Sequence, residues 1–207
     1  YEQLKHAIIT GEIPAGSRIV ETAYAEKLHI SRTPLREALR KLERDGLVEY
    51  VLHRGVLVRA FTINDIDEIF TIRNAMMMLL LPSIVANVNE DALQKLRAIL
   101  RDMDLAQEKA DADQLAVLNR AFHSTIEHLS DKLRILRVID SQEDYIIRFS
   151  AMTIASIVRR SNAHLEHHEM LSMLENRDLE GLKRLMQHHL DESKETCLAA
   201  VAERRFK

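Results

Sequence analysis

Several kinds of residue are scarce in this 207-residue sequence: tryptophan is absent, aromatic residues make up 4%, and there are five glycines, three prolines and one cysteine. Without many aromatic side chains, the core must be built from the aliphatic residues and methionines of a chain that is 46% hydrophobic. Leu, Met and Ala favour helices, so helices packed on helices are the expected fold class. The single cysteine, Cys197, excludes an intrachain disulfide and fits a reducing cytoplasm.

Sequence signatures of catalysis and of membrane insertion are also missing. The glycines form no phosphate-binding loop, and the sequence contains neither an HExxH motif nor a Ser/His/Asp set. The apolar run at residues 75–88 is too short for a transmembrane helix and contains Pro82 and Asn87. No basic-then-apolar signal segment follows Tyr1. We therefore expect a cytoplasmic protein that is not an enzyme and has no membrane partner, with a metal-dependent hydrolase as a rival class.

The distribution of charge and the hydrophobic period both change near residue 60. Residues 1–60 hold ten Lys and Arg against eight Asp and Glu, whereas residues 61–207 hold nineteen against twenty-four. Two β-branched runs end the first segment, and only helical periodicity follows. We predict two domains, residues 1–61 and residues 62–207, of which the first is suited to a polyanionic partner.

The first sixty residues contain the parts of a winged helix-turn-helix. Two short helices joined by "HIS" precede a hairpin whose turn needs a positive φ at Gly55. The second of these helices carries a row of arginines. Guanidinium groups bind phosphates and pair bidentately with guanine, but a solvated, salt-bridged helix face is the alternative interpretation of such a row. The turn and the hairpin favour DNA binding. Arginines recur every four residues along the second of these helices, at Arg32, Arg36, Arg40 and Arg44.

From Thr62 onward the pattern predicts a bundle of six helices, and polar residues within it could form a metal site. Asn119 and His123 lie one helical turn apart, and His167 and His189 lie on later helices that a bundle could bring together. Three imidazoles suit Zn²⁺ or Ni²⁺ and leave a position for water or an external carboxylate. Because the chain has ten histidines, surface or hydrogen-bonded core histidines are the alternative. The predicted helices are residues 63–87, 89–109, 111–129, 132–158, 162–176 and 178–204.

Two arginines interrupt apolar helical stretches of the second domain. Arg73 lies within "EIFTIRNAMMMLLL" and Arg148 within "DYIIRFSAM". A buried arginine needs an anionic partner, so we predict that both bind a carboxylate effector. An interhelical ion pair, or a side chain that extends to the surface, is the alternative for each of them.

The N-terminal motifs resemble a known family. The stretches "GEIPAGSRIVE" (residues 11–21), "SRTPLREALRKLERDGLV" (residues 31–48) and "RGVLV" (residues 54–58) are similar to the N-terminal domain of the GntR family of bacterial transcription regulators. The resemblance covers essentially all of residues 1–60. Arg54 is a further candidate for contact with DNA, because it lies at the tip of the predicted hairpin. The resemblance implies DNA contacts by Arg32, Thr33, Arg36, Arg40 and Gly55.

The helical remainder resembles the FCD ligand-binding domain of the FadR branch, and a count of six helices is closer to its VanR-like subgroup. The motifs "NRAFH", "EHHEML" and "RDLEGLKRLMQHHL" carry this resemblance. They imply that Asn119, His123, His167 and His189 hold a divalent transition metal, with Zn or Ni expected. Relatives carry an Asp where Asn119 stands, so we expect weaker metal binding that depends on an anionic effector for charge balance.

The resemblance also implies partners and a mode of action. We expect a homodimer that binds a palindromic double-stranded DNA operator, acts as a repressor, and responds to a small organic acid. A regulator for which the metal ion itself is the signal stays the alternative.

Overall fold

The computed structural model describes residues 1–60 and 62–205. These residues form two units, one that ends at Ala60 and one that begins at Thr62. The ends predicted for the two domains, at residues 61 and 207, lie outside the described residues. Helices predominate, and the small sheet lies in the first unit, as the predicted fold class requires.

Leucines at helical spacing organise the first unit. Leu35, Leu39 and Leu42 are fully buried on one side of the third helix, which leaves its arginines on the exposed side. Gly46 follows this helix with a φ of +72° and turns the chain into the sheet. The elements described in residues 1–60 are α1 (Glu2–Ile9), β1 (Arg18–Ile19), α2 (Glu21–Lys27), α3 (Arg32–Arg44), β2 (Val48–Val51) and β3 (Gly55–Val58).

The predicted hairpin is one part of a three-stranded antiparallel sheet with the order β1-β3-β2. Val51 pairs with Gly55, and the Arg54 amide donates to the Val51 carbonyl at 3.0 Å to close the turn. Gly55 has the expected positive φ, +80°, and His53 in the same turn has a φ of +63°. This turn presents Arg54 as an exposed residue. The strand β1 was not predicted, because two residues give no periodic signal.

The second unit has seven helices between Thr62 and residue 205, where six were predicted. The helix predicted over residues 132–158 is divided at Gln142, which separates two helices; just before it, the Ser141 hydroxyl donates to the Val138 carbonyl at 2.7 Å. Ser156 then adopts an extended conformation and caps the next helix, which starts five residues before its predicted beginning. The helices are α4 (Ile63–Asn87), α5 (Glu90–Glu108), α6 (Ala112–Glu127), α7 (Leu133–Ser141), α8 (Glu143–Ala155), α9 (Ile157–Glu175) and α10 (Leu179–Arg205).

The VanR-like subgroup was predicted from a count of six helices, whereas the described part of the second unit has seven. That subgroup therefore stays a prediction without support from the fold. Of the other five predicted helices, α4 has the predicted bounds. The ends of α5, α6 and α10 differ from the prediction by one or two residues, and α9 differs mainly in its earlier start.

Helix α4 is the central helix of the bundle. By length and composition alone it could cross a membrane. In the structure, however, it packs against α6, α7 and α10, and Met77, Leu80 and Leu81 are buried in the common core. It also carries Arg73 in a buried ion pair with Glu127. We interpret α4 as the core helix of a helical bundle, since one side of it is buried against neighbouring helices, while Ile72 and Leu79 on its other side are exposed.

Candidate metal centre and ligand cavity

Three of the predicted metal ligands meet in the interior of the second unit. His123 on α6, His167 on α9 and His189 on α10 are all buried, and each pair of rings has its centroids 5.0 Å apart. Nε2 of His123 is 3.2 Å from Nε2 of His167, and one nitrogen of each ring lies within 4.8 Å of the other two. Three imidazoles that face a common point are a donor set for a transition metal with open coordination positions.

The surroundings keep these imidazoles neutral. Burial lowers the pKa of His123 and of His167 well below the ordinary 6.5, and the neighbouring imidazoles lower both further. Burial also lowers the pKa of His189, although a hydrogen bond to Glu166 acts in the opposite direction. Neutral rings offer their lone pairs to a metal without first losing a proton, so the residues present fit a divalent ion.

Glu166 determines which nitrogen of His189 faces the centre. Its Oε2 lies 2.6 Å from Nδ1 of His189, so the Nδ1–H donates to the carboxylate and Nε2 is left for a metal. Arg159 binds the same carboxylate with two hydrogen bonds of 2.9 and 2.8 Å. Burial raises the pKa of Glu166, but the hydrogen bonds from His189 and Arg159 outweigh it and bring the pKa to about 2. An ionised carboxylate therefore orients His189.

Asn119 lies in the wall of the same cavity, one turn before His123 on α6. Its Nδ2 donates to the Ser150 hydroxyl at 3.4 Å, which leaves the amide oxygen as the group able to coordinate. This oxygen carries no charge. A divalent ion held by three neutral imidazoles and an amide would keep its full charge until an anion bound.

The histidines line a cavity with a free volume of about 70 Å³, enough for a few water-sized groups. Part of its wall is apolar, and the rings of Phe70 and Phe149 stack there with centroids 5.7 Å apart. The cavity thus combines a hydrocarbon surface with a polar centre, an arrangement suited to a small organic acid. Ile69, Met103, Leu115, Ile146, Ile154 and Leu190 complete the apolar lining.

Most arginines of the cavity already have carboxylate partners. Arg73 donates to Glu127 at 3.0 Å, and Arg120 donates to the same carboxylate at 2.9 Å and also to Glu143. The interhelical ion pair, the alternative for Arg73, is thus present, although Arg73 lines the cavity and its Nη1 has no hydrogen-bond partner among the described residues. These pairs neutralise the arginines within the protein.

Of the two predicted effector residues, Arg73 lines the cavity but Arg148 does not, and a third arginine, Arg160, lines it instead. Arg148 is half-buried on α8 and is not among the residues that line the cavity. Arg160 lines it, with its Nη1 3.5 Å from the Ile154 carbonyl. Within the described parts of the chain, Arg160 has no carboxylate partner and its buried Nε has no hydrogen bond.

The sequence contained a signal for the ion pairs that were not predicted. Arg120 and Glu127 on α6 are seven residues apart, and so are Arg159 and Glu166 on α9. Seven residues are close to two helical turns, so each pair lies on one face of its helix.

The predicted DNA-contacting residues are exposed on the first unit. Arg32 and Arg36 contact Glu21 of α2 at 3.3 and 2.7 Å, while 56% and 53% of their side-chain surface stays exposed. The hydrogen bond from Arg36, and a weaker one from Arg32, lower the pKa of Glu21. The salt-bridged face therefore exists in the free protein, but both guanidinium groups can still reach another anion. The other exposed candidates are Thr33, Arg40, Arg54 and Gly55.

The neutral histidines predict a pH dependence for the metal-free protein. Because the pKa of each of these buried imidazoles is lower in the fold than in the unfolded chain, the unfolded state binds more protons as the pH falls below about 6.5. The free energy of unfolding should then fall by up to about 1.4 kcal/mol per pH unit for each such imidazole. Thermal unfolding from pH 7.5 to 5.5 measures this, His123→Ala should show a shallower slope, and a constant Tm would contradict it.

Comparison with known proteins agrees with both units. Residues 68–192 match the FCD domain family, and residues 1–58 match the bacterial regulatory proteins of the gntR family. The regulator YdhC of Bacillus subtilis is 29% identical over 213 residues, 94% of this chain and 92% of the relative. McbR of Escherichia coli is 28% identical over 189 residues, 87% of this chain and 82% of the relative.

Solved structures show the same fold. A GntR regulator from Rhodococcus sp. RHA1 superposes with a TM-score of 0.78 at 25% identity, over 96% of this chain and 95% of that one. The structure of E. coli McbR/YncC has a TM-score of 0.76 at 24% identity, over 100% of this chain and 96% of that one. With an FCD family match over more than half of its length, this chain belongs to the GntR family of transcription regulators, in the group that carries an FCD domain.

Proposed function

We propose that this protein is a cytoplasmic transcription repressor, and not an enzyme, whose operator affinity is controlled by a small organic acid bound at a divalent metal in the helical unit. One observation carries the proposal. Three neutral imidazoles converge in the wall of a small cavity in which Arg73, Arg120 and Arg159 are already paired with glutamates. A bound divalent ion there would lack a counter-charge, so the site is suited to an external anion.

The ligand proposed for the cavity has at least one acid group and a hydrocarbon part. A bound metal would supply a cationic centre for one carboxylate, held by His123, His167 and His189. Arg160 would bind a further anionic or polar group, because its guanidinium lines the cavity and has no carboxylate partner among the described residues. We prefer Arg160 to Arg148 in this role. The rings of Phe70 and Phe149 would contact the hydrocarbon part.

The DNA-binding part of the proposal rests on the exposed face of α3 and the turn of the wing. Arg32, Thr33, Arg36 and Arg40 are exposed on α3, as a recognition helix in a major groove requires, and Arg54 lies exposed at the β2–β3 turn. We propose that two copies bind a palindromic operator. The relative from Paenarthrobacter nicotinovorans, 27% identical, is named a probable repressor of a D-xylose utilization operon. That name supports repression here.

Control of DNA binding by the ligand requires that the acid bind the two DNA-binding states with different affinity. Operator duplexes would be selected from a random library, and their binding measured by fluorescence anisotropy with Zn²⁺ or Ni²⁺, with and without a panel of mono-, di- and tricarboxylic acids. We expect at least one acid to change the operator Kd by about 5- to 150-fold, the usual range of allosteric coupling, and only when metal is present.

The alternative functions give different results in the same experiment. If metal alone changes the Kd and no acid adds to the change, the ion is the signal and the organic-acid proposal is wrong. If neither changes it while the protein binds DNA, the helical unit does not control the operator.

A further inference from the structure

A second group of metal-ligating side chains lies between α5 and α9. Asp104 comes from α5, and His164 and His168 come from α9, where they are one helical turn apart on the same face. Oδ1 of Asp104 is 2.6 Å from Nε2 of His164 and 3.2 Å from Nε2 of His168. Ligand atoms of all three residues lie within 4.8 Å of one another.

This outer group, Asp104, His164 and His168, differs from the buried histidines in composition and in access to solvent. The side chains of Asp104 and His168 are 46% and 44% exposed, and that of His164 is 14% exposed. The two groups share no residue, although both use α9. Asp104 also brings a negative charge, which the buried centre lacks.

We propose that Asp104, His164 and His168 form a second binding site for a divalent transition metal ion. Two imidazoles and one carboxylate on a single face are a donor set for Zn²⁺, Ni²⁺, Co²⁺ or Fe²⁺, with the remaining positions open to water. The carboxylate offsets half of the ion's charge, so the outer group needs no organic acid to bind it. Its exposure to solvent makes the ion exchangeable and its affinity lower than that of a buried centre.

A hydrogen-bonded cluster is the competing explanation of the same geometry. In it, the Nε2–H groups of both rings donate to one carboxylate oxygen. A metal would instead take the lone pairs of the same two nitrogens and of Oδ1. The two explanations therefore differ in metal stoichiometry, and a bound ion would also move Oδ1 of Asp104 away from its present separation of 2.6 Å from Nε2 of His164.

Metal at the outer group would also connect two helices of the ligand-binding unit. The α5–α9 contact already has a hydrogen bond from Gln107 to Ser161 of 3.3 Å and an ion pair between Arg97 and Glu175 of 2.7 Å. His164 also lines the cavity that contains the three buried histidines. An ion at the outer group would thus fix one wall of that cavity.

Metal-free protein should be titrated with Zn²⁺ and the bound ions counted by native mass spectrometry, with Co²⁺ absorption spectra as a second readout. We expect two ions for each wild-type chain. His168→Ala should retain one ion. Because the side chain of His168 is exposed, its removal should leave the fold intact, which circular dichroism checks. Asp104→Asn should weaken the second ion by at least about 10-fold while it keeps the shape of the side chain. His128→Ala, which removes an exposed imidazole outside both groups, should still bind two.

The buried centre and the outer group can be separated in this titration. His123→Ala should lose one ion and keep the ion at the outer group. If the wild type binds one ion that is lost in His168→Ala but kept in His123→Ala, the outer site stands and the metal centre of the proposed function fails. A wild-type chain that binds a single ion unaffected by His168→Ala and Asp104→Asn would overturn the inference.

Discussion

Replacing His123 with alanine is expected to remove metal from the buried centre. The substitution takes away one of three imidazoles that face a common point, and neither Asn119 nor the protein's paired carboxylates can replace it. The Kd for Zn²⁺ or Ni²⁺ at this centre should rise by more than the roughly 10- to 100-fold that the loss of an outer-shell partner costs. Competition with a chromophoric chelator measures this change.

The matched control for this experiment is His128→Ala. His128 ends α6, the helix that carries His123, but it is exposed and outside the group of three. Its removal should leave the Kd of the buried centre unchanged. Equal loss of metal in both variants would show that the imidazole of His123 is not a ligand, because a general effect on α6 would then explain both results.

A second variant, Glu166→Gln, tests the same centre through the orientation of His189 and should have a smaller effect. Glu166→Gln would keep the size of the side chain but remove the charge that accepts the Nδ1 proton and holds Arg159. We expect metal affinity to fall by about 10- to 100-fold, less than in His123→Ala. An unchanged Kd would show that the carboxylate does not support the metal-binding orientation of His189.

Arg36→Ala is expected to have the largest effect on DNA binding. Its guanidinium is half exposed near the start of α3, where a recognition helix contacts base edges. A bidentate arginine–guanine contact discriminates by about 1–3 kcal/mol, and a dimer would lose two such contacts, so operator affinity should fall by about 30-fold or more. Anisotropy titrations with operator and random duplexes at several salt concentrations measure this loss.

Arg44→Ala is the control on the same helix. Arg44 is also exposed, but it lies in the last turn of α3, away from the end that enters a groove. We expect little loss of operator preference in this variant. Normal operator binding by Arg36→Ala, or an equal loss in the two variants, would contradict the assignment of α3 as the recognition helix.

Much of the fold follows from periodicity that can be read directly in the sequence. Leu35, Leu39 and Leu42 predicted the buried face of α3, and the glycine after two β-branched runs predicted the turn at Gly55. These features depend on local spacing, so no information about distant residues was needed. The strand β1 depends on pairing with β3, and neither this pairing nor the division of the helix at Gln142 has a periodic signal in the sequence.

The sequence predicted which histidines would lie close together in the candidate site, but not how its charged groups are paired. The spacing of Asn119 and His123, together with the family resemblance, indicated the residues that now line one cavity. The Arg120–Glu127 and Arg159–Glu166 pairs lie within single helices, whereas Arg73 meets Glu127 from another helix, across 54 positions, which spacing does not reveal. The sequence alone gave no indication that Arg160 lines the cavity and that Arg148, the predicted effector residue, does not.

We propose above that an acid bound at the three-histidine centre sets the affinity for the operator. The most direct test is the change in operator Kd caused by the same acid in wild-type protein and in His123→Ala, both with Zn²⁺ or Ni²⁺ present. We predict that the acid shifts the wild-type Kd, and that His123→Ala binds the operator normally but does not respond to the acid. A full response of His123→Ala to the acid would contradict the claim.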